Sequence, residues 1–140
     1  MSKTIELMSD AELLAAPESA YMSEVQLLTF KQRLLTEEQA FRPAAEATTH
    51  HLQESEAAPD PVDRASAEEE RALELRVRDR ERKLLKNISL ALQRIEDGTY
   101  GWCEESGEPI GIARLLARPT ASLSLEAHER HEQRKRQFGG

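Results

Sequence analysis

Apolar positions recur at helical spacing in two long runs, separated by a short polar stretch that carries prolines. In the first run Leu27, Phe30, Leu34, Phe41, Ala45, Thr48 and Leu52 follow one another at threes, fours and sevens, the spacing of a helix with one buried seam. In the second, Leu73, Val77, Leu84, Ile88, Ala91 and Ile95 repeat the pattern, and Arg80 falls where an apolar residue is expected. Two seams of similar length joined by a turn predict an antiparallel coiled-coil hairpin. At ~1.5 Å per residue, arms of about 30 residues project on the order of 45 Å. Pro43 interrupts the first seam and predicts a bend or a loss of regular turns.

The stretch between the runs is EAAPDPVDRASAEEE, from Glu56 to Glu70. Pro59 and Pro61 remove two backbone donors and push the residues before them out of the α region, so one helix must end here. Asp60 and Asp63 fall in the turn, and Ser66 with Glu69 has the spacing of a capping box that could start the returning helix. Two carboxylates are thereby offered at the far end of a helical rod.

Shorter signals flank the rod. Ser9 with Glu12 predicts a capped short helix that Pro17 stops. The returning helix runs out at Asp97-Gly98, where glycine suits the left-handed C-cap. The short apolar pieces around Tyr100–Trp102 and Ile110–Ile112 then suit a small two-stranded knuckle rather than another helix, held by Trp102, Ile110, Ile112, Leu115, Leu116 and Leu123. Ser122 or Ser124 can cap a final helix with Glu126 and Glu129 near its start and Arg134, Lys135 and Arg136 near its end, a charge order that complements the helix dipole. The fold class expected is mainly α: a hairpin over residues 22–97 with its tip near 56–66, an N-terminal segment 1–21 packing on a small globular base at 98–123, and a C-terminal helix at 124–140.

Composition narrows the function. With 4% aromatic and 39% hydrophobic residues among 140, one large spherical core is out of reach, and the 32% charged fraction fits long exposed helices. A formal net charge of -7 argues against nonspecific DNA binding, whose affinity comes from neutralising phosphates. The basic run Arg71, Arg76, Arg78, Arg80, Arg82, Lys83 and Lys86 alternates with Glu70, Glu74, Asp79 and Glu81, which marks most of it as a solvated helix face. No apolar stretch approaches the roughly 20 residues that span a bilayer, and no leader pattern opens the chain, so a cytoplasmic protein is expected. A single cysteine agrees with a reducing compartment. Despite His50-His51, no Ser/His/Asp set, phosphate loop or HExxH spacing points to an enzyme.

Cys103 and Ser106, then Ser124 and Ala127, have the outline of a two-pair zinc site with one thiolate left of four. Zinc needs about four N or S donors; Ser and Ala do not replace the missing ones, and His128 and His131 are the remaining candidates beside Cys103. The expectation is a degenerate zinc-finger-like knuckle without metal.

DPVDRA at 60–65, the following EEERALELRVRDRERKLLK, and YGWCEESGEPIGIARLLARPTA together resemble the DksA family of bacterial transcription factors, over roughly residues 21 to 138. The resemblance implies a non-enzymatic regulator that binds bacterial RNA polymerase through its secondary channel and modulates initiation with guanosine tetraphosphate (ppGpp) in the stringent response. It implies that Asp60, Asp63 and Ala65 form the tip, that Arg114 contacts the polymerase rim, and that Leu84, Arg118 and the neighbouring Arg80 contribute to the nucleotide site, where two family lysines are replaced by Asn87 and His128. With only Cys103 kept of four cysteines, the chain resembles the zinc-independent, cysteine-poor branch, which suits a backup regulator in zinc shortage. A hairpin that buries its own seams implies a monomer without sequence-specific DNA binding. Competing readings are a transcript-cleavage factor using the same channel and a coiled-coil partner-binding protein outside transcription.

Overall fold

The structure, a computed structural model, describes residues 6–55 and 61–138, with side chains described except those of residues 44–65 and 138. The elements are α1 (Asp10–Ala15), a 3-10 turn (Glu18–Ala20), α2 (Glu24–Ser55), α3 (Pro61–Asp97), α4 (Ile112–Ala117) and α5 (Leu125–Phe138). The chain divides into two compact units, residues 1–34 with 90–140, and residues 35–89. The fold is mainly α, with a helical hairpin and a small globular base.

In the globular unit, the Ser9 hydroxyl accepts from Glu12 N–H while the Glu12 carboxylate accepts from Ser9 N–H, the expected capping box of α1. Leu13 is fully buried, and Met8 N–H donates to Thr29 Oγ1 at 3.1 Å, tying this segment to the start of α2. Phe30 meets Tyr100 at 5.7 Å between ring centroids, and Tyr100 donates to the Pro119 carbonyl at 2.7 Å. Lys31 pairs with Glu96 at 3.3 Å, and Arg94 grips Glu104 at 2.9 Å. Gly98 ends α3 with φ +79, the left-handed cap the sequence indicates. Ser124 caps α5 by accepting from Ala127 N–H at 3.2 Å.

The knuckle is one antiparallel bridge, Trp102 to Pro109, flanked by Cys103 N–H to Glu108 O and Ile110 N–H to Gly101 O, both at 2.8 Å. Two expectations need correction here. The segment after it is helical, because Gly111 at φ +100 turns the chain and Ile112 opens α4. Trp102 is 38% exposed, whereas Ile110 and Leu115 are buried with Tyr100, Cys103, Ala121 and Ala127. Indoles are large and seldom fully covered in a small core.

Gly101 holds φ +89, and a Cβ there would come within 2.5 Å of Met22 Sδ and 2.7 Å of its Cγ. Met22 itself sits at φ 56. Gly101→Ala is expected to destabilise the globular unit by about 1–2 kcal/mol through left-handed strain and displacement of the thioether. A urea titration followed through Trp102, the chain's single tryptophan, measures it. An unchanged midpoint would refute the close-approach argument.

In the helical unit α2 continues through Pro43. Pro43 is exposed, so the carbonyl that loses its donor can turn to water, and regularity survives. α3 starts at Pro61, ahead of the Ser66/Glu69 box; proline suits the first helical position because the N–H it lacks would be unsatisfied there anyway. The second seam is covered at Leu84, Ile88, Ala91 and Ile95 and departs from expectation at its first two positions. Leu73 and Val77 are 59% and 40% exposed, while Ala67, Glu74, Glu81 and Ile88, spaced by sevens, are the more covered positions. Arg80 accordingly lies on the exposed face and not in the seam.

Candidate functional site

Of the three tip residues, Asp60 lies outside the described residues, and Asp63 and Ala65 fall in the first turns of α3. Asp63 is thus at a helix start, where its charge and the exposed N–H groups are complementary.

Along α3 the exposed face forms an open depression of about 390 Å³, lined by Arg76, Asp79, Arg80, Lys83, Leu84 and Asn87. Three cations surround one carboxylate, and that carboxylate is drawn to Arg82 at 3.6 Å. Helical spacing of three and four puts these groups on one face. The depression therefore carries a local excess of positive charge, with Leu84 as its apolar member. Structure thus brings Arg80 and Leu84 together. Arg118, in the globular unit, is an exposed residue that ends α4. Arg114 is half-buried and donates from Nε to the Leu123 carbonyl at 2.9 Å, bracing the chain between α4 and α5. His128 approaches Glu132 at 4.0 Å.

At the knuckle, Cys103 is buried, and the positions expected around it converge. Burial pushes the thiol up, but hydrogen bonds from the side chains and backbone N–H groups of Ser106 and Ser124 outweigh it and lower the thiol from 9.0 to about 6. Ala127 is fully buried and offers no donor atom. The two hydroxyls point hydrogen at sulfur, and the fourth position is a methyl group, so this set does not fit zinc. The Cys103 sulfur is held by hydrogen bonds from Ser106 and Ser124 instead.

The sequence pattern did not single out Tyr21. Its hydroxyl donates to the Gly101 carbonyl and accepts from Gly111 N–H at 2.9 Å, and its ring meets Trp102 edge-on at 5.3 Å. Burial raises its pKa, against smaller opposing effects of the Gly111 and Ile110 backbone. A second missed group is Glu105, which pairs with His131 and, at 3.9 Å, with Arg130, holding α5 to the knuckle. Neither carries a local signal, since both act across long sequence separations.

Comparison with known proteins fits these parts. Residues 26–95 match the family model of the DnaK suppressor protein DksA N-terminal domain, and residues 98–133 match the prokaryotic dksA/traR C4-type zinc finger. The chain is 51% identical over 131 residues to the RNA polymerase-binding transcription factor DksA of Caulobacter vibrioides, covering 93% of this chain and 92% of that protein. It is 46% identical over 125 residues to the protein of that name from Escherichia coli, covering 89% and 83%. The solved structure of transcription factor DksA2 from Pseudomonas aeruginosa superposes with a TM-score of 0.81 at 48% identity, covering 91% of this chain and 99% of that one. Matches that run through both units leave one conclusion: the chain belongs to the DksA family.

Proposed function

We propose that this chain is a non-enzymatic transcription regulator that binds bacterial RNA polymerase and modulates initiation. The observation that carries the reading is its similarity, over most of its length, to proteins named for polymerase binding. The finer parts rest on particular residues. The hairpin of residues 22–97 enters the secondary channel, and Asp60, Asp63 and Ala65 form the tip that meets the catalytic region. Arg114 contributes a contact at the rim. Residues at a pre-ordered helix start, as Asp63 and Ala65 are, lose little entropy on binding. By favouring one conformation of the promoter complex over another, they shift its population, and the sign of the effect follows whichever step limits that promoter.

Guanosine tetraphosphate is the proposed co-effector. The Arg76, Arg80, Lys83 and Leu84 depression supplies fixed cations for its phosphates, and Arg118 supplies a guanidinium able to bind two oxygens. Asn87 and His128, where the family has lysines, weaken the attraction. The protein works as a cytoplasmic monomer without sequence-specific DNA contacts; among the described residues no helix is long and apolar enough to cross a membrane. Its Cys103 thiolate knuckle makes activity independent of zinc, so chelator-treated protein should retain it.

The test is an initiation assay with purified polymerase, with and without guanosine tetraphosphate, comparing the intact chain with Asp63→Asn. Asparagine keeps most helix-start capping but removes the charge. The expected result is unchanged helicity and polymerase binding with most of the effect on transcript yield lost. Equal regulation by the variant would reduce Asp63 to a structural cap. An added stalled-complex arm should show no transcript cleavage.

A further inference from the structure

A pocket of about 460 Å³ opens within the globular unit, away from any residue assigned above to the polymerase or to the nucleotide. Pro17 and Pro109 supply rigid apolar wall, Trp102 and Tyr21 supply aromatic wall, and Glu18 stands at its edge. Gln26, also lining it, is 1% exposed. Its Oε1 accepts from Met22 N–H at 2.8 Å, while no group among the described residues accepts from its Nε2. That leaves Nε2 as a donor that a ligand carbonyl in the pocket can take.

The remaining features select the ligand's other end. Trp102 stays 38% exposed although its ring is fixed perpendicular to that of Tyr21. Glu18 is exposed and makes no ion pair among the described residues. An open indole beside an unengaged carboxylate suits a planar cation: guanidinium stacks on an indole face and offers a two-pronged donor to carboxylate. An anionic ligand would meet Glu18 on a chain of net charge -7, and a purely apolar one would satisfy neither Gln26 nor Glu18.

We infer that this pocket takes an arginine of a partner polypeptide, with its guanidinium between Trp102 and Glu18 and a main-chain carbonyl of the same segment accepting from Gln26 Nε2. Apolar and aromatic walls with one amide donor and one carboxylate match a short peptide segment better than an isolated ion.

The probe is the blocked tripeptide acetyl-Ala-Arg-Ala-amide titrated into the full chain, with the norleucine and glutamate analogues in parallel. Trp102 emission reads the pocket, since it is the chain's single tryptophan, and the side-chain amide resonances of isotopically labelled Gln26 read the carbonyl contact. The arginine peptide should bind saturably in the millimolar range, about fivefold more tightly than the norleucine peptide, with no binding of the glutamate peptide. Glu18→Gln, at an exposed position, should weaken it about threefold with an unchanged urea midpoint. No saturation by about 10 mM, or equal binding of norleucine, overturns the assignment. Saturation without a shift of the Gln26 amide overturns its peptide-carbonyl half.

Discussion

Between pH 9 and pH 6 the globular unit should lose stability in proportion to protonation of Cys103, and the Cys103→Ala variant should lack that part of the pH dependence. The folded state lowers the thiol from 9.0 to about 6, so unfolding in this window takes up a proton. A lowered folded-state value contributes stability that is complete above about pH 9 and vanishes as pH falls through about 6, at about 1.4 kcal/mol per pH unit between. The full span amounts to about 4 kcal/mol, on the order of a structural cross-link. Urea midpoints from Trp102 emission, taken for both proteins at each pH, give the difference curve, in which His128, His131 and the carboxylates cancel. Thiolate absorbance of the native protein supplies an independent titration. Parallel stability curves, or a native thiol that titrates near its ordinary value, would remove the idea that Ser106 and Ser124 stabilise a charge where zinc does not fit.

The same residues show what a sequence can reveal. Ser9 with Glu12, Gly98, and Ser124 each act within one helical turn, and each is found where local chemistry puts it. The loss of three of four zinc donors was legible by counting, but the replacement was not. It needs Ser106 and Ser124 to present N–H and O–H to one sulfur from two separate loops. The second seam is covered as expected at Leu84, Ile88, Ala91 and Ile95 and departs only at Leu73 and Val77. Leu73 and Val77 look inward by hydrophobicity, yet tracing back by sevens from Ile88 reaches Glu81 and Glu74, which are the half-buried ones. Exposed leucine is common, so hydrophobicity alone does not fix the register. That shift turns Arg80 from an anomaly in a buried stripe into one wall of a basic surface depression. The helix start at Pro61 is hard to read because two signals, Pro61 and Ser66, lie close together, and the first-turn preference of proline competes with the capping box.

Tyr21→Phe should destabilise the globular unit by about 2–3 kcal/mol, although it deletes a single oxygen. That oxygen accepts from Gly111 N–H at 2.9 Å and donates to the Gly101 carbonyl, joining the two sides of the knuckle to the segment that leads into α2. The carbonyl retains Ile110 N–H at 2.8 Å, so most of the cost is the orphaned Gly111 donor, held at φ +100 ahead of α4. Because burial raises the tyrosine's pKa, the hydroxyl remains protonated across the window in which Cys103 titrates, and the two effects can be measured separately. Phenylalanine preserves the edge-on contact with Trp102; Tyr21→Leu removes it as well and should cost about 1 kcal/mol more. Equilibrium unfolding gives both differences, and amide exchange at Gly111 locates the first. If Tyr21→Phe changes stability by less than about 0.5 kcal/mol, or Gly111 exchanges no faster, the hydroxyl is not what closes the knuckle.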